Sequence, residues 1–284
     1  MITVLGTGAQ ALVQDLGRPG LAALGVGRSG AADRASLRLG NRLVANPPDA
    51  AAIEVLFGGL ALRASRDLLV ALTGAPAPAS VDGRPVGHFA LVPVRSGQEL
   101  RLGVPTSGLR TYVCVRGGIA VPQVLGSRST DLLSGIGPAP LEAGTELPIG
   151  PEPSEFPLVE VAPVAPPPAG LVTLRAVRGP HASHAVDPGG LATSPWVASD
   201  RTDRVGMRLE GATLEPADGA GTLPSIGLTR GAVQLPPGGE PVVFLADHPV
   251  TGGYPVIAVL EDAEVDRAAQ IRPGQQVRIR LRPS

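Results

Sequence analysis

The sequence predicts a mainly β fold, arranged as two barrel-like halves with a few short helices. Short runs of Val, Leu and Ile are punctuated by 38 glycines and 31 prolines without a repeating period, which is the pattern of a turn-rich β protein. At 284 residues the chain exceeds the usual size of one domain, and its 43% hydrophobic content is ample for two cores. A turn-and-strand unit also recurs. Ser96-Gly97-Gln98-Glu99-Leu100-Arg101-Leu102 is echoed by Pro273-Gly274-Gln275-Gln276-Val277-Arg278-Ile279, and more weakly by Ala143-Gly144-Thr145-Glu146-Leu147-Pro148-Ile149. The spacing is too long for a solenoid period and fits two related halves, with chance similarity of short units as the alternative.

In chain order, Ile2 to Leu5 forms a first strand and Ala11 to Val13 continues its ladder. The polar turn Gln14 to Gly20 follows, where Asp15 and Arg18 form at most a surface pair. Asp33 to Ala45 is the clearest helix, with Asp33 at the N-cap, Leu39 and Leu43 at i, i+4, and Pro47-Pro48 ending it. Gly40 in its middle weakens the helix by roughly 1 kcal/mol and predicts close approach to a sheet. Strands follow at 52–57, 60–64 and 68–73. Asp82-Gly83 signals a type I′ hairpin, and 110–115 is a further strand carrying the lone cysteine, Cys114, as a buried small hydrophobe. Residues 151–170 are the Pro-richest stretch and read as a semi-rigid linker or edge segment. They divide the chain into an N-terminal module, 1–155, and a C-terminal module, 165–284. The second half opens with a strand at 171–177. Trp196 is a packing anchor, and Asp262 to Gln270 is a short helix capped by Asp262.

Composition excludes several chemistries. All 24 basic residues are arginine, so no Walker A phosphate loop and no Schiff-base lysine exist. A net charge of −1, without basic clusters and with few aromatics, leaves nucleic acid without a footprint. No apolar run approaches the roughly 20 residues of a membrane span, and the start lacks signal-peptide character, so a cytoplasmic protein is expected. One cysteine permits no internal disulfide. His181, His184 and Asp187 have metal-like spacing, but the surrounding glycines and prolines do not build a helix to present them.

Chemistry-bearing groups gather in Asp247-His248-Pro249-Val250-Thr251-Gly252-Gly253-Tyr254-Pro255, between apolar runs at 241–246 and 256–260. Gly252 and Gly253 offer backbone N–H donors to a ligand, Thr251 and Tyr254 add hydroxyls, and Asp247 with His248 forms a candidate acid/base pair. The alternative is a decorated hairpin connection. Gly126-Ser127-Arg128-Ser129-Thr130-Asp131 suits an anion or carboxylate site with Arg128 as the bidentate donor, or else a capped helix start. The charge-dense 200–209 stretch reads either as a solvated edge or as a site loop.

Six stretches together resemble the family of KipA, allophanate hydrolase subunit 2 and the C-type subunit of 5-oxoprolinase. They are VQDLGRPG (13–20), SGAADRASLRLGNRLVAN (29–46), RTYVCVRGGIAVPQVLGSRSTD (110–131), DRVGMRLEG (203–211), GAVQLPPGGEPVVFLAD (231–247) and TGGYPVIAVL (251–260). The sequence departs from the family pattern at Pro249-Val250-Thr251, at Asp203-Arg204-Val205-Gly206 and at Gly137-Pro138-Ala139-Pro140. The resemblance implies cyclophilin-like β-barrel modules and a KipI/allophanate-hydrolase-subunit-1-like partner. With a third, LamB/YcsF-like subunit, these chains resemble a 5-oxoprolinase that opens the lactam of 5-oxoproline to glutamate with ATP. The ATP site can lie on a partner, and neither a metal nor a biotinyl group is expected on this chain. Two alternatives are implied as well: a carboxyltransferase part of a biotin-dependent urea carboxylase, or a non-enzymatic KipI antagonist regulating a sensor kinase. Either enzyme must aim donors at an amide oxygen in a dry pocket. That requirement selects Gly252 and Gly253 with Tyr254 or Thr251 for the oxyanion, Arg204 or Arg128 for a carboxylate or phosphate, Gln234 for the amide edge and Asp247 as general base.

Overall fold

The computed structural model describes residues 1–217 and 223–282. The chain is mainly β and divides into two compact units. The first comprises residues 1–18, 29–131 and 135–167; the second comprises 19–28, 132–134 and 168–284.

The first unit holds β1 (Ile2–Thr7), β2 (Gln10–Gln14), α1 (Arg34–Leu43), β3 (Ala52–Leu56), β4 (Leu60–Ala64), β5 (Leu68–Gly74), β6 (Ala79–Val81), β7 (Arg84–Val86), β8 (Leu91–Val94), β9 (Glu99–Leu102), β10 (Arg110–Val115) and β11 (Glu146–Leu147). One sheet runs β11-β1-β4-β9-β6-β7 and the other β2-β3-β10-β5-β8. A single core is filled from both, with Ile2, Val4 and Leu62 from the first and Val13, Ile53 and Val113 from the second. The strands expected to share one ladder, β1 and β2, thus belong to different sheets. The turn between them redirects the chain across the core instead of returning it along the same sheet.

β10 is buried along its whole length because it is covered on both faces. Val113 and Val115 point into the core, while Tyr112 and Cys114 pack against Leu37, Leu43 and Val44 at α1. Asp33 caps α1 by accepting the Ser36 N–H at 2.9 Å. The Tyr112 hydroxyl holds the entry to the helix: it accepts the Asp33 N–H at 2.8 Å and donates to Glu54 at 2.7 Å. Gly40 meets the sheet so closely that a Cβ there would lie 2.5 Å from Cys114 Sγ. Asp82 and Gly83 both adopt positive φ, 47° and 77°, as a type I′ turn requires. The Pro-rich stretch ends as an edge: Leu91 N–H donates to Glu160 and Ala162 N–H to Phe89, beside β8.

The second unit holds β12 (Val172–Arg178), α2 (Gly190–Thr193), β13 (Trp196–Ala198), β14 (Gly206–Glu210), β15 (Ile226–Gly227), β16 (Ala232–Gln234), β17 (Val242–Phe244), β18 (Thr251–Gly252), β19 (Val256–Leu260), α3 (Asp262–Ala268) and β20 (Gln276–Leu281). Seven of these strands close a barrel in the order β12-β19-β16-β17-β14-β13-β20, sealed by parallel pairing of β20 with β12. Met207, Leu209, Val233, Val243 and Ile279 alternate into the interior. Trp196 is 1% exposed, and its indole N–H donates to Leu191 O at 2.8 Å, as an anchor should. The N-cap of α3 is Glu261 without a side-chain bond, whereas Asp262 lies inside the helix and pairs with Arg230. Among the described residues no helix is long and apolar enough to cross a membrane.

Candidate active site on the barrel wall

Residues 247–255, between β17 and β19, are not a hairpin connection, because β16 lies between those two strands in the barrel. The chain must therefore cross the end of β16, and this crossing carries Tyr254 over the outer face of the sheet. On that face, period-two alternation puts Gly206 and Arg208 of β14, Val242 and Phe244 of β17, and Gln234 of β16 side by side. With Tyr254, Arg201 and Asp203 they line a cleft of about 370 Å³.

Gln234 is 6% exposed, and its Nε2 donates to the Tyr254 carbonyl at 3.1 Å. Among the described residues its side-chain oxygen has no hydrogen-bond partner, nor do the Tyr254 hydroxyl and the Arg208 guanidinium. Gly252 explains the placement of the amide: a Cβ there would meet Gln234 Nε2 at 2.9 Å and Leu228 Cδ1 at 2.8 Å. Arg201 is engaged at the rim by Glu210 and Glu240, at 2.8 and 3.0 Å. The Ser199 hydroxyl and this Arg201 hold the Glu210 carboxyl below the usual carboxylate range. Asp203 closes the turn into β14, accepting the Val205 and Gly206 N–H groups at 2.8 and 3.0 Å. The cleft therefore offers one unpaired cation, one amide acceptor and one phenol against an apolar wall of Val242 and Phe244.

Of the residues expected at the site, Gln234 and Tyr254 meet here, and Gly252 supports them from behind. Thr251 is exposed on β18, and Gly253 accepts the Leu223 N–H at 2.7 Å. Asp247 and Arg204 lie elsewhere. The Asp247 N–H donates to Arg204 O, which brings together the segments just before β14 and just after β17. They form a buried bidentate pair at 2.8 and 2.9 Å, with exposures of 0% and 2%, and Asp247 also accepts the Leu132 N–H at 3.1 Å. A carboxylate already accepting three donors away from the cleft wall is a structural partner, not a base within reach of a cleft ligand. His248 Nδ1 lies 2.8 Å from the Pro249 carbonyl.

Arg128 is held in the first unit, with Nε donating to Val121 O at 2.8 Å. Its loop does bind a carboxylate, and the carboxylate is Asp15. Ser127 Oγ, Ser129 Oγ, Arg128 N–H and Gly17 N–H all donate to it, at 2.5–2.7 Å. Asp15 and Arg18 are both buried and do not pair with one another. His181 and His184 stack edge to face at 5.3 Å, and no group of three or more potential metal ligands occurs among the described residues. Phe244 escaped the sequence reading, and Arg208 entered it only within the 200–209 stretch read as a solvated edge or a site loop. The signal for both was alternation: each sits one residue from a core-facing neighbour in a strand.

Fold and cleft together define a mainly β protein with a polar cleft on the outer face of its barrel, in a carboxyltransferase-type architecture. The chain belongs to the family described as carboxyltransferase domain, subdomain A and B, which it matches over residues 24–281. It is 38% identical to the C-type subunit of 5-oxoprolinase from Escherichia coli K12 over 282 residues, covering 98% of this chain and 90% of that protein. The solved structure of TTHA0988 superposes with a TM-score of 0.88 at 34% identity, covering 98% of this chain but 56% of that one. The Kluyveromyces lactis urea carboxylase structure gives a TM-score of 0.91 at 28% identity, and this chain spans 27% of it.

Proposed function

We propose that this chain is the C-type subunit of a heteromeric, ATP-dependent 5-oxoprolinase and that the barrel cleft holds the lactam. The supporting observation is full-length similarity to that subunit of the Escherichia coli enzyme, joined to a cleft whose free groups match the substrate. 5-Oxoproline carries a carboxylate, a ring N–H and a carbonyl. Arg208 takes the carboxylate, the Gln234 side-chain oxygen accepts the N–H, and the Tyr254 hydroxyl donates to the carbonyl oxygen on which negative charge develops. Val242 and Phe244 exclude water from the ring. ATP and the base that directs water onto the activated carbonyl come from the KipI-like and LamB/YcsF-like chains, since Asp247 is engaged by Arg204. The complex works in the cytoplasm.

The test is co-expression with those two partners and an assay of ATP-dependent glutamate formation, omitting each chain in turn. Glutamate only from the full mixture supports the reading; a stable complex without turnover sinks it. Similarity to the urea carboxylase favours a second reading, transfer of a carboxyl group to urea. Urea offers no carboxylate to Arg208, so competition for the cleft by 5-oxoproline but not by urea separates the two.

A further inference from the structure

Four buried arginines of this chain each face a carboxylate: Arg110 with Glu54, Arg116 with Glu152, Arg204 with Asp247 and Arg230 with Asp266. Arg18, in the first unit, does not. It is 1% exposed, and among the described residues its single bond runs from Nη2 to the Ser129 carbonyl at 2.5 Å. Its Nε and Nη1 have no partner among those residues. Asp15, three residues away, cannot supply one, because the serines and backbone of 127–129 hold it in another direction.

Among the described residues, two further buried atoms of the same cluster also lack partners, Thr130 Oγ1 and Gln14 Oε1. They are tied to Arg18 through adjacent carbonyls: Gln14 Nε2 donates to Thr130 O at 2.8 Å, next to the Ser129 carbonyl that Arg18 uses. That bond also fixes the Gln14 amide, since turning it over would set oxygen against the Thr130 carbonyl. Leaving a charged donor buried and unsatisfied is among the costlier arrangements a fold can hold. Here such a donor shares one hydrogen-bonded cluster with an unpartnered hydroxyl and an unpartnered amide oxygen.

We propose that Arg18, Gln14 and Thr130 form a binding site in the first unit for a small planar oxyanion with a hydrogen-bond donor beside it. The guanidinium matches the plane and charge of the anion, and the Thr130 hydroxyl adds a donor. The fixed Gln14 oxygen accepts, so it disfavours a bare carboxylate and selects one that carries its own N–H or O–H. A carboxylate adjacent to an N–H and hydrogencarbonate share this chemistry. The site uses none of the cleft residues and stands independently of their assignment.

The experiment is thermal melting of the intact chain with hydrogencarbonate, N-acetylglycine, acetate or chloride, at one pH and ionic strength. Saturable stabilisation by hydrogencarbonate or N-acetylglycine is expected, weaker with acetate and absent with chloride; which of the two binds identifies the source of the anion. Thr130→Val should weaken that binding about tenfold, the loss of one hydrogen bond to a charged ligand. Gln14→Leu should bring acetate level with the donor-bearing anions, and Arg18→Met should remove the response. If Arg18→Met does not fold, the other two variants decide. No saturable response in the parent protein, or one that all three variants leave unchanged, overturns the site. So does a crystal grown with the anion that shows only water at Arg18.

Discussion

Arg208 and Arg204 lie four residues apart and do different work. The first is exposed and unpaired among the described residues, so Arg208→Met should leave stability within about 0.5 kcal/mol. In the assembled complex it should raise KM for 5-oxoproline about tenfold or more, which steady-state kinetics would show. The second is closed around Asp247, and Asp247→Asn or Arg204→Met leaves a buried charge without its partner. A loss of about 3–5 kcal/mol in denaturant melts is the expected result. Near-parental stability with abolished turnover would instead restore Asp247 to the chemistry. Cys114 supplies a third test. Burial pushes its thiol up from the ordinary value, so a thiol reagent should label it only as fast as the chain unfolds.

At the level of elements, α1 and β10 were legible because their signals are local. Asp33 announces a cap, Pro47-Pro48 a stop, and Gly40 a helix pressed to a sheet. Gly40→Ala gains helix propensity but places its methyl 2.5 Å from Cys114 Sγ and 3.0 Å from Thr73 Oγ1. Overpacking should win, at about 1–3 kcal/mol destabilised, and Cys114→Ala in the same chain should recover part of the loss. A double-mutant cycle in urea measures it. Pairing partners were less legible than strands. Nothing in the sequence of β1 and β2 says that they part into different sheets, and nothing in 241–260 says that β16 comes between its two apolar runs. The site divides the same way. Gln234 and Tyr254 were readable as polar groups interrupting apolar sequence. Arg208 was hidden among neighbouring charges, and the partner of Asp247 depends on a long-range pairing that no local pattern encodes.

At the scale of the molecule, the mainly β architecture follows from turn chemistry and apolar runs, whereas the proposed activity rests on partner chains. By itself it should show no turnover of 5-oxoproline, and adding the purified partners should start the reaction. The second unit has a further property. Val172 on its first strand pairs with Val277 on β20, and β20 also pairs with Trp196 on β13. Contacts that distant in sequence make closure of the barrel slow compared with formation of α1. During synthesis on the ribosome, β19 and β14 can cover one edge of β12 and of β13, but the other edge of each stays open until β20 arrives. A stalled or prematurely ended chain carries two open strand edges, the form most prone to pair with another copy and the one a chaperone would have to hold.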